Sequence, residues 1–229
     1  MYKIGENCDI APTAVIGEGC KLGNNVIIHN FVVLYPGTEI GNDCEIFDHA
    51  VIGRPPKAAG ILISKIGENL PPVSIKDKTV IGASSVIYAD CHIGNNVLIC
   101  DLASLREGCT VGDNTVIARL VTCNHHVTIG NNVKIIDVTH ITSRTIIEDN
   151  VFIGVAVSTA NDNNMRISGD QPTNNTIILR NGCKIGAGAV ILPSIEVGKN
   201  SIVGANSLVT KNVDDNIVVM GTPAKERKK

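Results

Sequence analysis

The stretch IGNNVLICDLASLREGCTVGDNTVI, running from Ile93 to Ile117, decides the fold. An aliphatic residue returns at every sixth position: Ile93, Ile99, Leu105, Val111 and Ile117. Small side chains such as Ala103, Cys109 and Thr115 stand two residues before the next aliphatic one. Turns such as Gly94-Asn95-Asn96 and Gly112-Asp113-Asn114 lie between. Six is even, so the in–out alternation of a strand survives from repeat to repeat. The large and the small residue both point inward, and the residue between them faces out. Gly, Asn and Asp accept the positive φ of a tight corner at little cost.

The period extends in both directions. Upstream it passes through Ile4, Ile10, Ile16, Leu22, Ile28, Leu34, Ile40, Ile46 and Ile52, then Ile75, Ile81 and Ile87. Downstream it passes through Cys123, Ile129, Ile135, Ile141, Ile147 and Ile153, then Leu179, Ile185, Ile191, Val197, Val203 and Val209. Three edges close a coil of about eighteen residues, and coils stack at roughly 4.8 Å. The expectation is one all-β domain over 1–229, a parallel β-helix of about ten coils whose stability is near-additive along the stack. Two interruptions, about 54–74 and about 159–176, are too long for corner turns and read as inserted loops that carry function. A C-terminal tail over about 214–229 completes the chain.

Composition suits a narrow prism. Aromatic residues make up 3% and Trp is absent, while mean hydropathy is +0.19. No apolar run approaches a membrane span. Met1-Tyr2-Lys3 leads straight into the first repeat, so a cytoplasmic chain is expected. A net charge of −2 gives no general attraction to nucleic acid or anionic membrane. Six of the eight cysteines (Cys8, Cys20, Cys44, Cys91, Cys109, Cys183) fill the small inward slot and read as structural thiols. Cys123-Asn124-His125-His126 matches no standard metal-site spacing, and no metal is expected.

Sorting the aliphatic positions by threes yields three corners. The first follows Ile81, Ile99, Ile117, Ile135 and Ile153; the second follows Ile87, Leu105, Cys123, Ile141 and Thr159; the third follows Ile52, Ile93, Val111, Ile129 and Ile147. The third keeps plain Gly-Asn turns. The second stacks Tyr88-Ala89-Asp90, Arg106-Glu107, Asn124-His125-His126 and Ser143-Arg144, and the second loop leaves from it. The first adds Asp101 and Asp137. His29 and His49 are assigned to the second corner in the N-terminal coils, and His92 to an outer face. Corners that abandon Gly-Asn for His, Asp, Glu and Arg mark either a site or a subunit contact, and the two are compatible at an interface.

Motifs such as Ile16-Gly17-Glu18-Gly19-Cys20 and Leu22-Gly23-Asn24-Asn25-Val26 resemble those of the hexapeptide-repeat acyltransferases. The resemblance covers roughly nine tenths of the chain. It implies a left-handed β-helix, a homotrimer and an acyl-coenzyme A co-substrate. Ile135 to Gly154 resembles the subgroup of N-acyltransferases acting on nucleotide-linked amino sugars, with dTDP as the implied nucleotide and cell-surface glycan synthesis as the implied setting.

Acyl transfer to an amine needs positioning, a proton acceptor and an oxyanion donor. A histidine of near-neutral pKa is the usual acceptor. His125 is the first candidate, with His126 and His140 as alternatives. Asp137 is the rival catalytic residue, since in relatives a polar residue at this corner lies beside the sugar amine. In some relatives the leaving coenzyme A thiolate takes the proton instead. Arg54 and Lys57, in a proline-stiffened loop, suit a pyrophosphate. Asp101, Glu107 and His140 are further substrate-binding candidates. The segment from Asn216 to Lys225 resembles the tail that crosses the last coil in coenzyme A-dependent members, with Thr222 where they carry Asn. That resemblance names Pro223 and Lys225, with the small turns at Gly154, Gly186 and Gly204, as the cofactor-binding set. Other readings remain open: a different small acceptor, a non-catalytic β-helix binding module, or a metal-dependent hydratase on the same scaffold.

Overall fold

The computed structural model describes residues 3–57, 69–163 and 176–227. The rest of the two loops, 58–68 and 164–175, lies outside the described residues. The chain winds as a left-handed parallel β-helix whose two- to four-residue strands stack into three sheets of ten, twelve and ten strands. Face one carries Ile4, Leu22, Ile40 and Ile75; face two Ile10, Ile28, Ile46 and Ile81; face three Ile16, Leu34, Ile52 and Ile87. The pairings are parallel until the tail, where Lys225–Glu226 turns back antiparallel on Val218–Met220. Among the described residues no helix is long and apolar enough to cross a membrane.

The inward rows form one continuous core. Ile81, Ile99, Ile117, Ile135 and Ile153 stack on face two with no exposed surface. Burying each is worth roughly 1.5–3 kcal/mol. The small-slot cysteines are free thiols packed in the same core, Cys8 at its more open N-terminal end.

The corners differ in chemistry. At the third corner, Asn25, Asn96, Asn114 and Asn132 take positive φ of 53–57°. There a side chain on each coil accepts a backbone N–H from the coil before: Asn42 N to Asp77 Oδ1 at 2.8 Å, Asn95 N to Asp113 Oδ1 at 2.7 Å, Asn131 N to Asp149 Oδ1 at 2.7 Å. At the first corner the same left-handed slot holds Phe31, Leu102, Leu120 and Val138, at φ 58–63°. Such backbone is unusual for apolar residues and an outlier for a β-branched one. These four side chains are also 49–56% exposed.

Two corner assignments require correction. Ile52 pairs with Ile87, so the first loop leaves from the second corner, not the third. Ile40 pairs with Ile75 and Ile147 with Leu179, offsets of 35 and 32 residues where an uninterrupted coil has 18. The insertions therefore hold 17 and 14 extra residues, and both spring from the corner between faces three and one. His29 and His49 flank the Ile28 and Ile46 strands of face two, which places them at the first corner. There His29 stacks on Phe47 at 4.7 Å and His49 on Phe31 at 5.0 Å.

Candidate functional site

The second corner carries a continuous polar column. Arg54, at the end of the strand Val51–Arg54, pairs with Tyr88 across a one-residue bulge at Gly53. Its Nη1 donates to the Tyr88 hydroxyl, and its guanidinium lies 5.1 Å from the Tyr88 ring centroid. One coil on, the Arg106 guanidinium sits 5.6 Å from the same ring. Tyr88 is thus in cation–π contact with two guanidiniums. Arg106 is neutralised by Glu107 through Nε–Oε2 at 2.9 Å and Nη2–Oε1 at 2.7 Å. Among the described residues no carboxylate pairs with Arg54.

Glu107 is 6% exposed. Burial pushes its carboxyl up, but the Arg106 guanidinium and backbone hydrogen bonding bring the net shift below the usual carboxylate range. The next coil places His125 in the same column. Burial pushes its imidazole below the ordinary range, His126 and the neighbouring arginines push the same way, and Glu107 opposes them. The two rings meet edge to face at 5.3 Å. His126 takes φ +57°, and its imidazole occupies the space a Cβ on Gly108 would need. Gly108, itself at φ +71°, is therefore the seat of His126. One coil further, Arg144 N donates to His125 O at 3.1 Å.

His140 lies on the outer surface of face three, between the first and second corners. Its Nδ1 is 2.7 Å from Thr122 Oγ1, and burial lowers its pKa. Lys57 is exposed beyond the strand that ends at Arg54.

Asp101 and Asp137 sit at the other edge of face three. Asp101 Oδ1 accepts Ala83 N at 2.8 Å. Asp137 Oδ1 accepts Arg119 N at 2.9 Å and Oδ2 takes the Arg119 guanidinium at 3.0 Å. Both reproduce the coil-to-coil bond of the third corner. The Arg119 hydrogen bonds hold the Asp137 carboxyl below its usual range, which weakens it as a base. Within one chain the structure joins Glu107, His125 and Arg54 in one column and leaves Asp101 and Asp137 outside it.

The cofactor candidates also gather. Gly154, Gly186 and Gly204 are successive first-corner residues on face two. A Cβ on each would stand 2.7 Å from Ala187 N, 2.5 Å from Ala205 N and 2.9 Å from Met220 Cβ. Gly94 and Gly112 at the third corner make the same close approach, so packing alone accounts for all three. The tail brings Pro223 and Lys225 to this end: Lys225 pairs with Met220, and Ala224 N donates to Leu208 O at 2.8 Å. The sequence places Tyr88 and Arg106 in the second-corner stack without a role of their own, and does not point to Gly108. The signal was the 18-residue spacing that puts Arg106 one coil after Tyr88 and His126 one coil after Gly108.

The bacterial transferase hexapeptide (six repeats) matches residues 19–54, 90–125 and 176–211. These three segments carry the repeat of the bacterial hexapeptide transferases. Over 126 residues it is 33% identical to an acyl-[acyl-carrier-protein]–UDP-N-acetylglucosamine O-acyltransferase of Thermodesulfovibrio yellowstonii, covering 45% of this chain and 48% of that protein. Over 56 residues it is 43% identical to a galactoside O-acetyltransferase of Lactococcus lactis, covering 24% and 27%. The chain spans under half the length of these curated relatives. The solved UDP-N-acetylglucosamine acyltransferase of Campylobacter jejuni superposes with TM-score 0.63 at 18% identity, over 96% of this chain and 74% of that one. That likeness concerns the hexapeptide-repeat fold.

Proposed function

We propose that the protein is an N-acyltransferase that moves an acyl group from acyl-coenzyme A to the amine of a nucleotide-linked amino-dideoxy sugar, with dTDP as the nucleotide. The observation that carries this is His125. It is held neutral by burial, in one column with a buried carboxylate and an arginine that has no acidic partner among the described residues. A neutral imidazole can accept the proton of an attacking nucleophile at neutral pH. Relatives named as acyl- and acetyltransferases support the reaction class.

In this reading Arg54, aligned by Tyr88, meets the diphosphate together with Lys57, and Glu107 and His140 line the sugar. The amine attacks the thioester carbonyl and His125 takes its proton. The C–S bond then breaks, and the thiolate receives the proton from His125. The thioester arm lies along the first corner past Gly154, Gly186 and Gly204, with Lys225 at its nucleotide end. The working unit is a homotrimer whose subunits meet along the first corner, where Leu102, Leu120 and Val138 are exposed in left-handed backbone. In that assembly Asp101 and Asp137 of one subunit approach the His125 column of another.

A hydroxyl acceptor is the second reading, favoured by the same lowered His125 pKa and by relatives named as O-acyltransferases. The test is thiol release from acetyl-coenzyme A, with dTDP- and UDP-linked 3-amino and 4-amino sugars alongside their hydroxyl counterparts. Release with an amino sugar and none with its hydroxyl counterpart supports the first reading, the reverse supports the second, and no release with any acceptor removes both.

A further inference from the structure

Thr142 breaks a rule that the rest of the fold keeps. Among the described residues every other buried threonine gives its hydroxyl to a backbone carbonyl. Thr38 donates to Tyr35 O at 2.7 Å, Thr79 to Gly94 O at 3.0 Å, and Thr115 to Gly130 O at 3.0 Å. Thr139 donates to Gly154 O at 2.9 Å, Thr145 to Thr142 O at 2.9 Å, and Thr159 to His140 O at 3.1 Å. Thr142 is 1% exposed, and its Oγ1 is the one buried side-chain nitrogen or oxygen with no hydrogen-bond partner among the described residues. Its main chain is held on both sides: its N–H donates to Thr159 Oγ1 at 2.6 Å and its carbonyl accepts from Thr145. Only the hydroxyl is unspent. Leaving such a group unpaired is destabilising, so its position calls for a ligand-side explanation.

That position is the second corner. Ile141 pairs with Cys123, so the turn Thr142-Ser143-Arg144 lies one coil beyond Asn124-His125-His126. Asn124 N donates to Ile141 O at 2.8 Å and Arg144 N to His125 O at 3.1 Å, which bolts the two turns together. Adjacent coils are about 4.8 Å apart. The second loop departs one coil later, after Thr159.

We propose that the Thr142 hydroxyl is the hydrogen-bond donor for the oxyanion that forms on the thioester carbonyl during acyl transfer. The proposal rests on the acyltransferase reading above. As the nucleophile attacks, its new bond to carbon forms and the carbonyl π pair moves to oxygen, which takes the Thr142 O–H. His125 holds the nucleophile's proton. When the C–S bond breaks, the pair returns to the carbonyl and the thiolate leaves with the proton from His125. A donor kept unpaired in the resting protein meets its partner only where charge develops, which is the condition for lowering the barrier rather than tightening ground-state binding.

Thr142→Val keeps the shape and removes the hydroxyl; Thr142→Ser keeps the hydroxyl. Thr142→Val is expected to raise the ligand-free Tm by about 2–6 °C, because it deletes an unpaired buried group. The same variant should lose about 10²–10³-fold in kcat with little change in KM for the thioester. Thr142→Ser should retain kcat within about tenfold of wild type. A Val variant with wild-type kcat overturns the proposal, as does one that melts below wild type, the result for a hydroxyl held by an enclosed water. A loss confined to KM overturns it too, since that marks a ground-state contact. Wild-type protein that releases no thiol with any acceptor removes the acyltransferase reading itself and this assignment with it; an active wild type with an unimpaired Val variant removes this assignment alone.

Discussion

Asp137 Oδ1 accepts the backbone N–H of Arg119 at 2.9 Å while its Oδ2 holds the Arg119 guanidinium at 3.0 Å. The carboxylate is thereby spent on joining two coils, as Asp113 and Asp149 are at the third corner. Asp137→Asn keeps the Oδ1 acceptor and should leave Tm near wild type and kcat within about threefold. Asp137→Ala leaves the Arg119 N–H to water and should lower Tm below that of the Asn variant. Thermal melts and thiol-release rates on both variants check this. A hundredfold kcat loss in the Asn variant would return Asp137 to the chemistry.

On the proposed mechanism His125 should set the acid limb of the pH profile. Burial lowers its pKa, so it is neutral at pH 7 and becomes protonated only below the ordinary imidazole value of about 6.5. The expected kcat/KM is flat near neutrality and falls on the acid side with an apparent pKa below 6.5. Stability follows the same sign. Between the folded pKa and about 6.5 the unfolded chain binds more protons, so stability is lost as pH falls through that window and gains nothing further above it. His125→Asn should cut kcat by about 10²–10⁴ and remove its share of the acid loss in Tm. His140→Asn is the control, since burial lowers that imidazole as well. An unchanged acid limb in the His125 variant would exclude it as the base.

The scaffold was legible because every coil repeats the same 18-residue register, so the inward rows from Ile4 to Val209 can be counted without seeing the molecule. Counting failed where register is carried by space rather than by chain. Counting puts Ile52 at the wrong corner because the segment before Ile75 does not show how many of its residues are inserted, and only the strand pairing fixes that number. His29 and His49 share the register of Ile52 and shift corner with it. Asp101 and Asp137 stood out because their corner lacks Gly-Asn turns. Their bonds run to the preceding coil, eighteen residues away, where a local reading does not look. His125 stands out in the sequence because clustering of ionisable residues is visible in the chain. Arg106 and Tyr88 contribute through stacking, which appears only once the coils are superposed.

Gly108 is required twice over, by its φ of +71° and by the His126 ring above it. Gly19 supplies the comparison: its φ is +76°, but the nearest atom to an added Cβ is 3.8 Å away. Gly19→Ala should cost only the left-handed backbone penalty, roughly 1–2 kcal/mol. Gly108→Ala should cost more and also displace the His125–His126 turn, reducing kcat while Gly19→Ala leaves it unchanged. Equal Tm losses with equal activities would show that the ring contact at Gly108 positions nothing.

Val138 tests the assembly. A β-branched residue at φ +63° and 56% exposure is unfavourable in an isolated subunit on both counts. Asparagine, which the third corner uses in the same slot, relieves the backbone. For a free monomer, Val138→Asn would therefore raise Tm. If Leu102, Leu120 and Val138 form a subunit contact, the substitution removes buried apolar area at three symmetry-related places and should weaken the trimer. Sedimentation across a concentration series should then show dissociation in the variant at concentrations where wild type stays trimeric, with Tm dependent on protein concentration. Activity should fall with the trimer fraction, because the proposed site draws on two subunits. A monomeric wild type, or a variant that melts higher and keeps its activity at every concentration, would remove the interface from the first corner.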